Sequence, residues 1–422
     1  MTARAGLSPS RQVLDNGVVV TVKASHATPA VTINACLQAG AVFDPSAHMG
    51  LANFVARTMD RGTTTRTADD IAMALENRGA SLDVRINRHV VSVDCTCLVE
   101  DFGDMLGLVA DVLINPAFPP EQVALRRSEI VTALRQERDD PAAMASEGLL
   151  RLLYPGHPYA KHPHGTVESV EAVPESALRA FHEARFSPGS LSLVIVGDVE
   201  PELAVALAAD VFSCWQVPPL QTQQLPPVTK PVGRQRLVLP MMNKSQADIA
   251  YGFVTILRSD PAYYAYLLMN NVLGQYSMGG RLGESIRERQ GMAYYAFSAL
   301  DANVVRGPLV VRAGVNPSNV DRAIASIDEE LTRMAAEGPT ERELSESKRY
   351  LVGSMPRTLE TNAGIARFLQ TAEFFELGLD HDQRLPSLVE GVRREDVHEA
   401  SRAALVPSVA AVVIAGPYED RG

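Results

Sequence analysis

The spacing of apolar residues predicts a chain that mixes strands and helices. The opening RQVLDNGVVVTVKA is typical of a hairpin with an Asn-Gly turn, and the strand AVTINACLQAG follows it. Thr67 can cap a helix that Gly79 ends, and an alternating strand pair follows in SLDVRINRHVVSVDCTCLV. Pro119 and Pro120 then open a long helix that runs through Arg138.

The second half of the chain has the same mixture of patterns. PAYYAYLLMNNVLG and NVDRAIASIDEELTRMAAEG have helical periodicity, and strand-like runs flank them. Strands and helices that are segregated in this way favour an α+β fold. We therefore expect α/β sandwich domains, each with one sheet and one helical layer.

An internal repeat indicates that the chain contains two copies of one fold. Residues 170–173 read VEAV and residues 389–392 read VEGV, an offset of 219 that also pairs Gly197 with Gly416. Between these points SLSLVIVGDV aligns with VAAVVIAGPY, each a buried strand that ends at a glycine turn. The sequence therefore predicts two homologous domains related by internal duplication.

A segment rich in proline and glutamine, residues 218–233, divides the chain nearly in half. Proline stiffens such a segment and removes backbone donors, so we interpret it as an extended linker. The predicted organisation is an N-terminal domain at 1–217, the linker, and a C-terminal domain at 234–422. A length of 422 residues suits two domains of about 200 residues each.

Composition excludes several classes of function. A content of 46% apolar and 21% charged residues is typical of a globular protein with an ample core. A net charge of −11 disfavours binding to nucleic acid and to anionic membranes. No apolar run reaches the roughly 18 residues that a membrane span needs. The start MTARAGLSPSRQ also lacks the apolar region of a secretory signal.

The four cysteines do not form a metal or redox motif. The cysteines are Cys36, Cys95, Cys97 and Cys214, and no pair of them is separated by the two intervening residues of a zinc knuckle or a thioredoxin-like motif. Cys95 and Cys97 lie in a period-2 run, which places both on one strand face. We interpret them as small core residues.

The stretch GLANFVARTMDRGT, residues 50–63, has the frame of a buried helix but contains no His, Glu or Cys. It resembles the helix that carries H-x-x-E-H in the pitrilysin/insulysin-like inverzincin peptidases. On that pattern the two His positions fall at Asn53 and Arg57, and the catalytic Glu falls at Ala56. The third ligand of the family, a Glu ahead of an Asp-Asp-Pro turn, falls at Ala133.

These replacements predict that the chain itself does not bind zinc at the motif. Zinc needs three protein donors of N, S or O type and an open position. Asn53 is a poor ligand, Ala56 and Ala133 have no donor, and Arg57 brings a permanent positive charge that repels a cation. We expect no metal bound by this chain.

The second half keeps a different part of the family pattern. LGQYSMGGRLGESIRERQGMAYYAFSAL resembles the second-domain signature of the same peptidases, in which an Arg and a Tyr seven residues later point into the active site. Here they are Arg287 and Tyr294. A Tyr hydroxyl can stabilise a developing oxyanion while Arg holds a substrate carbonyl or carboxylate. Gln246 matches a frequent family Gln and is expected to bind substrate, with solvation of an edge strand as the alternative, whereas Tyr295 is expected to pack on the opposite strand face.

Histidines offer a weaker alternative. His157, His162 and His164 in GHPYAKHPHG could form a metal cluster, and His48 could be a stray ligand ahead of the vacant helix. The family has a similar loop with no ligand role.

The resemblance covers essentially the whole chain and implies a function. In the heterodimeric branch of the family, which includes mitochondrial-processing-peptidase-like bacterial enzymes, one chain carries H-x-x-E-H and its partner does not. We therefore expect a non-zinc-binding subunit of a zinc metalloendopeptidase, with Arg287 and Tyr294 acting at the zinc site of a homologous partner on peptide or unfolded polypeptide substrates. The resemblance also implies a periplasmic location with a removed leader, or a cytoplasmic one if the chain is full length.

Three other functions are also compatible with the sequence. The chain could be a purely structural subunit, an autonomous peptidase with a relocated metal at His162 and His164, or a peptide-binding module that never cleaves. An intact Arg and Tyr pair argues against a scaffold.

Overall fold

The computed structural model of the protein describes residues 6–217, 224–275 and 280–419. Residues 218–223 of the predicted linker, and residues 276–279 ahead of the Arg287 motif, lie outside the described residues. Among the helices of the described ranges, none combines the length and the apolar character that crossing a membrane requires.

The first sheet contains six strands within the described residues. They are β1 Ser10–Val13, β2 Val19–Ala24, β3 Ala30–Leu37, β4 Ser81–Ile86, β5 Val91–Leu98 and β6 Leu191–Gly197. Their order across the sheet is β1-β2-β6-β3-β5-β4. β2 and β6 run parallel, and the other neighbouring pairs are antiparallel. The hairpin predicted at the start of the chain is confirmed, with a left-handed backbone at Gly17 (φ 91°) in its turn.

The second sheet contains five strands within the described residues. They are β7 Gln235–Pro240, β8 Ala247–Val254, β9 Ala293–Leu300, β10 Pro308–Val315 and β11 Ala411–Gly416. Their order is β7-β11-β8-β10-β9, and β7 with β11 is the parallel pair. β8 is therefore a central strand and β9 is an edge strand.

The α-helices of the described ranges account for most of the remaining chain. In the first half they are α1 Leu51–Thr58, α2 Ala68–Glu76, α3 Phe102–Ile114, α4 Pro120–Arg138, α5 Pro141–Leu153, α6 Val167–Ala172, α7 Glu175–Arg185 and α8 Pro201–Phe212. In the second half they are α9 Tyr263–Asn270, α10 Val320–Glu337, α11 Glu341–Thr358, α12 Asn362–Phe374, α13 His381–Glu390 and α14 Arg394–Ala404. Two π-helical segments are Asn271–Gln275 and Gly283–Arg289.

The internal duplication is visible in the topology. Strands β2-β6-β3-β5-β4 and β7-β11-β8-β10-β9 have the same order along the chain and across their sheets, with the parallel pair at the same place. The offset of 219 carries α7 onto α14 and the end of β6 onto the end of β11. Gly197 and Gly416 end these strands with φ of 151° and 139°. A Cβ at Gly197 would lie 2.2 Å from the Ala30 carbonyl oxygen. The α+β class with two homologous sandwiches is confirmed.

The chain folds into two compact units that differ from the two sequence halves in two segments. Unit 1 consists of Met1–Arg135, His162–Gln223 and Met355–Gln383, and unit 2 consists of Gln136–Lys161, Gln224–Ser354 and Arg384–Gly422. Each unit thus contains a helix from the other half, α12 in unit 1 and α5 in unit 2. The apolar faces of these helices explain the exchange, because each packs on a sheet that its own half does not form.

Each sheet is covered on both faces by helices of its own unit. In unit 1 a large core lies between the sheet and helices such as α1, α3 and α7, whereas Val194 and Val196 face the other way and contact Ile365 and Leu369 of α12. In unit 2 the side chains of α5 lie so close to β8 that a Cβ at Gly252 would be 3.0 Å from Leu149. The predicted single helical layer is therefore completed by an exchanged helix on the second face.

Candidate functional site

Helix α1 starts at a fixed point because a carboxylate caps it. The Oδ2 atom of Asp44 accepts a hydrogen bond from the Gly50 N–H at 2.6 Å, and its Oδ1 atom accepts one from the Ala52 N–H at 2.8 Å. Gly50 has a left-handed backbone (φ 85°), and a Cβ there would lie 2.5 Å from the His164 carbonyl oxygen. The start of the helix that resembles a zinc helix is thus fixed by the Asp44 cap and by the close backbone contact at Gly50, although Asn53, Ala56 and Arg57 stand at the positions of the zinc motif.

The four replaced positions lie on α1 and α4, both in this part of unit 1. Asn53 and Ala56 are buried, the side chain of Arg57 is 48% exposed, and Ala133 is exposed on α4. They offer one amide, two methyl groups and one guanidinium. This set does not fit zinc, because it supplies no imidazole, thiolate or carboxylate and places a fixed positive charge where a cation would bind.

Glu129 is a residue at this site that the sequence alignment missed. Its Oε2 atom lies 3.7 Å from Arg57 Nη2 and accepts a hydrogen bond from Arg126 Nη1 at 2.5 Å. Glu129 precedes Ala133 by one helical turn, so both project from the same side of α4. This spacing of four residues along one helix was the sequence signal that could have identified Glu129. Where the family resemblance predicts a metal and its ligand, an arginine of α1 is therefore paired with a carboxylate of α4.

Arg287 and Tyr294 belong to unit 2, where a helical segment passes into an edge strand. Arg287 lies in the last turn of Gly283–Arg289, which ends as the Gly291 N–H donates to the Arg287 carbonyl at 3.0 Å. The Arg287 side chain is 35% exposed and its Nε atom lies 3.6 Å from Glu288. Tyr294 is the second residue of β9 and 69% exposed, an unusual exposure for a large aromatic side chain.

The neighbouring Tyr295 does more than the packing that was predicted for it. Its hydroxyl donates a hydrogen bond to Oδ1 of Asp248, a carboxyl that is only 3% exposed. Both residues pair with Gly314 of the strand between them. Because a Cβ at Gly314 would lie 2.6 Å from the Tyr295 ring, the glycine leaves room for this contact across β10. The expectation of a plain packing residue is corrected, because the hydroxyl has a buried partner.

Gln246 is tied into the same network rather than into solvent at a sheet edge. Its Nε2 atom donates to both Asp248 oxygens at 3.2 Å, and a Cβ at Gly314 would lie 2.4 Å from it. Gln246 leads into β8, a central strand, so solvation at an edge strand was the wrong alternative. It lies on the Tyr295 face, opposite to Tyr294. Its role in substrate binding stays a prediction.

Burial controls the protonation of this network. Burial raises the pKa of Asp248, while the hydrogen bonds from Tyr295 and Gln246 act in the opposite direction. Burial also raises the pKa of Tyr295, and the nearby Asp248 carboxyl raises it further. The Tyr295 hydroxyl therefore stays a hydrogen-bond donor throughout the ordinary pH range.

The histidine candidates separate into different roles. His157 uses both ring nitrogens within unit 2, with Nε2 3.0 Å from the Pro226 carbonyl oxygen and Nδ1 accepting from the Tyr159 N–H at 3.0 Å. Burial lowers the pKa of His157, so it is a structural residue. The rings of His162 and His164 are 5.3 Å apart, and the His164 N–H donates to His162 Nδ1 at 3.3 Å.

The remaining candidates are core or surface residues. The Nδ1 atom of His48 is buried and has no hydrogen-bond partner within the described residues. Cys95 and Cys97 lie on one face of β5 in the core of unit 1, as the alternating pattern predicted. Burial raises the pKa of the Cys97 thiol to about 11, so the thiol remains protonated.

Family models match both halves of the chain. A model described as insulinase (peptidase family M16) matches residues 19–166, and one described as the peptidase M16 inactive domain matches residues 173–351. A protein named an uncharacterized zinc protease of Mycobacterium leprae is 27% identical over 418 residues, which is 97% of this chain and 92% of that protein. One with the same description from Bacillus subtilis is 22% identical, covering 85% of this chain and 86% of that protein.

Solved structures with the same fold include a peptidase M16 inactive domain from Pseudomonas fluorescens. It has a TM-score of 0.91 and 24% identity, and 99% of each chain is covered. A protease from Helicobacter pylori has a TM-score of 0.88 and 15% identity, with 98% of this chain and 100% of that chain covered. The fold is a duplicated α+β fold of the metallopeptidase type, and Asn53, Ala56, Arg57 and Ala133 supply no imidazole, thiolate or carboxylate for a metal. The chain belongs to the M16 (insulinase) peptidase family.

Proposed function

We propose that this chain is the zinc-less subunit of a heterodimeric zinc metalloendopeptidase. In this proposal a homologous partner with H-x-x-E-H supplies the zinc and the catalytic base, and this chain supplies Arg287 and Tyr294. The observation that carries the proposal is a contrast: every zinc-motif position is replaced, yet the Arg and Tyr of the second half keep their spacing and stay accessible. A chain with no role in cleavage would not need an accessible Arg287 and Tyr294 at this spacing.

The chemistry of the pair supports a role in binding and in stabilising charge. The Tyr294 hydroxyl would donate a hydrogen bond to the oxygen that becomes negative when a peptide carbonyl is attacked. The Arg287 guanidinium would hold a neighbouring carbonyl or carboxylate of the substrate by charge-assisted hydrogen bonds. Neither side chain can activate water at neutral pH, so the pair alone gives no hydrolysis.

Location of the substrate is part of the same proposal. Tyr294 lies on β9, an edge strand whose outer backbone groups have no neighbouring strand within the described part of unit 2. An extended peptide can add to such an edge, and an unfolded polypeptide is the substrate class that this geometry favours. By family resemblance we also propose a periplasmic location, which fractionation of producing cells would test.

The decisive experiment reconstitutes the enzyme. Zinc content and peptidase activity are measured for this chain, for a homologous H-x-x-E-H chain, and for the mixture. We expect activity from the mixture alone, and a fall of about a hundredfold in kcat for Tyr294→Phe, because loss of one oxyanion donor costs about 3 kcal/mol in the barrier. Arg287→Ala should lower kcat/KM, because the substrate loses its charge-assisted hydrogen bonds.

Arg289→Ala is the matched control, because Arg289 lies in the same turn, is 54% exposed and pairs only loosely with Glu284 and Glu330. It should keep the full activity of the mixture. Peptidase activity of this chain by itself would contradict the proposal. If the peptidase activity of the mixture is unchanged by both Tyr294→Phe and Arg287→Ala, the alternative is favoured, which is a structural or peptide-binding subunit without a role in cleavage.

A further inference from the structure

An arginine cluster occupies the place of the missing zinc site in unit 1. We define the cluster as Arg57, Arg61 and Arg126 with the carboxylates Asp60 and Glu129. Arg57 and Arg61 are four residues apart along and just beyond α1, and Arg126 and Glu129 are one turn apart on α4. The cluster therefore joins the same two elements that the family frame uses for its metal.

The charges of the cluster do not cancel. Three guanidinium groups face two carboxylates, which leaves one net positive charge in a protein of net charge −11. Arg57, Arg61 and Arg126 all act electrostatically on Asp60, and they lower its pKa against the larger effect of burial, which raises it. The region is thus locally cationic on an acidic molecule, a setting that attracts anions.

Several donors of the cluster are unused. Arg57 lies 3.7 Å from Glu129, and its guanidinium makes no hydrogen bond to any described residue. The Nε atoms of Arg61 and Arg126 are buried and lack an acceptor within the described ranges. The approach of Arg61 Nε to Asp60 at 3.2 Å is an ion pair without hydrogen-bond geometry. A ligand oxygen from solvent would instead meet the exposed guanidinium groups of Arg57 and Arg61, whose side chains are 48% and 40% exposed.

The surroundings favour a peptide as the source of that oxygen. α1 packs against β4, which is the last strand of its sheet. An extended peptide can add to such an edge, beside the helix that carries Arg57. A peptide carboxylate matches the planar fork of a guanidinium, because its two oxygens can accept two parallel N–H hydrogen bonds.

We propose that the arginine cluster binds the carboxylate of a peptide, so that an anion site has replaced the cation site of this frame. The carboxylate is either an acidic side chain or a free C-terminus, since both present the same two oxygens. This inference concerns unit 1 and does not depend on the action of Arg287 and Tyr294. It is therefore tested by binding to this chain alone.

The test uses fluorescein-labelled hexapeptides and fluorescence anisotropy with the full chain. Three probes differ only in charge: an alanine-rich peptide with a central Glu and an amidated end, its Gln counterpart, and the Gln peptide with a free C-terminal carboxylate. We expect the Glu probe, the free-acid probe or both to bind roughly tenfold more tightly than the neutral probe at low salt. The probe that shows the preference identifies the source of the carboxylate. The preference should weaken as salt is added.

Variants assign the preference to the cluster. Arg57→Gln and Arg126→Gln should each abolish it, and Arg57→Lys, which keeps the charge but loses the fork, should retain part of it. Arg135→Gln is the matched control, because Arg135 lies on the same helix, is 65% exposed and pairs with Glu171 at 3.3 Å. Equal binding of all probes by the unaltered chain would overturn the proposal. A preference that survives Arg57→Gln and Arg126→Gln would also overturn it, and circular dichroism would verify that the variants are folded.

Discussion

At the scale of single residues, two adjacent tyrosines have opposite environments. Tyr294 is 69% exposed and Tyr295 donates a hydrogen bond to the buried Asp248. The alternation of a strand explains the difference, because successive side chains point to opposite faces. The alternation of the strand predicts the two faces, but only the structure shows that Tyr294 is exposed and that the Tyr295 hydroxyl has a buried partner in unit 2.

This difference predicts separate effects on stability. Tyr295→Phe removes a donor from a buried carboxylate and should lower the free energy of unfolding by about 1 to 3 kcal/mol. Tyr294→Phe should change it by less than about 0.5 kcal/mol, because the side chain is mostly exposed. Urea denaturation of both variants measures the contrast. Equal losses would contradict the assignment of the two faces.

At the scale of elements, the start of α11 is held by one carboxylate. Glu343 accepts hydrogen bonds from Arg281 at 2.7 and 2.8 Å and from the Thr340 N–H at 2.7 Å. Thr340 in turn accepts from the Glu343 N–H, which makes a reciprocal cap. The Arg281 side chain is only 7% exposed. The helix is thus attached to the segment that leads towards Arg287.

The pKa of Glu343 makes this attachment depend on pH. Burial raises that pKa, but the hydrogen bonds from Arg281 and Thr340 outweigh burial and bring it to about 2, below the ordinary value of 4.5. Because the folded state holds the proton less tightly than the unfolded state, the contribution is complete above about pH 4.5 and is lost as the pH falls towards 2.

Glu343→Gln should therefore lower the free energy of unfolding at pH 7 by roughly 2 kcal/mol and reduce its dependence on pH below 4.5. Glu346→Gln is the control, because Glu346 is 49% exposed and pairs with Arg342 on the helix surface. The control should cost less than about 0.5 kcal/mol. Thermal unfolding followed from pH 3 to pH 7 measures both. An unchanged pH profile in Glu343→Gln would disprove the role.

At the scale of the whole molecule, the duplicated halves do not fold from their own elements alone. Unit 1 includes α12 from the second half, and unit 2 includes α5 from the first half. α12 covers Val194 and Val196 of the first sheet, while α5 packs on the second. The segment 218–233 divides the repeats in sequence, but the units of packing are not continuous.

This exchange predicts the behaviour of separated halves. Residues 1–217 produced alone lack α12 and would expose an apolar sheet face, so we expect aggregation or weak cooperativity of unfolding. The second half, residues 234–422, lacks α5 and should behave in the same way. Production of both halves together should restore a soluble complex, which size-exclusion chromatography would detect. Two halves that fold independently would show that the exchanged helices are dispensable.

Much of this protein could be predicted from local features. The positions of α4 and α10, the N-cap at Thr67 and the opening hairpin follow from capping residues, proline and apolar spacing, which act within a few residues. Features that depend on distant partners could not be predicted. Asp248 gives no signal until another strand lies beside it, and the spacing of Glu129 from Ala133 does not show that Glu129 pairs with Arg57 of α1.

The sequence by itself determined the duplication and the spacing of an Arg and a Tyr, and it predicts the loss of zinc donors at Asn53, Ala56, Arg57 and Ala133. Each of these is a matter of residue identity and periodicity along one segment. Only the tertiary structure decided the exchange of α5 and α12, the pairing of Arg57 with Glu129, and the contact of Tyr295 with Asp248. These depend on the packing of residues far apart in the chain, where burial and shape choose among partners that the local sequence leaves open.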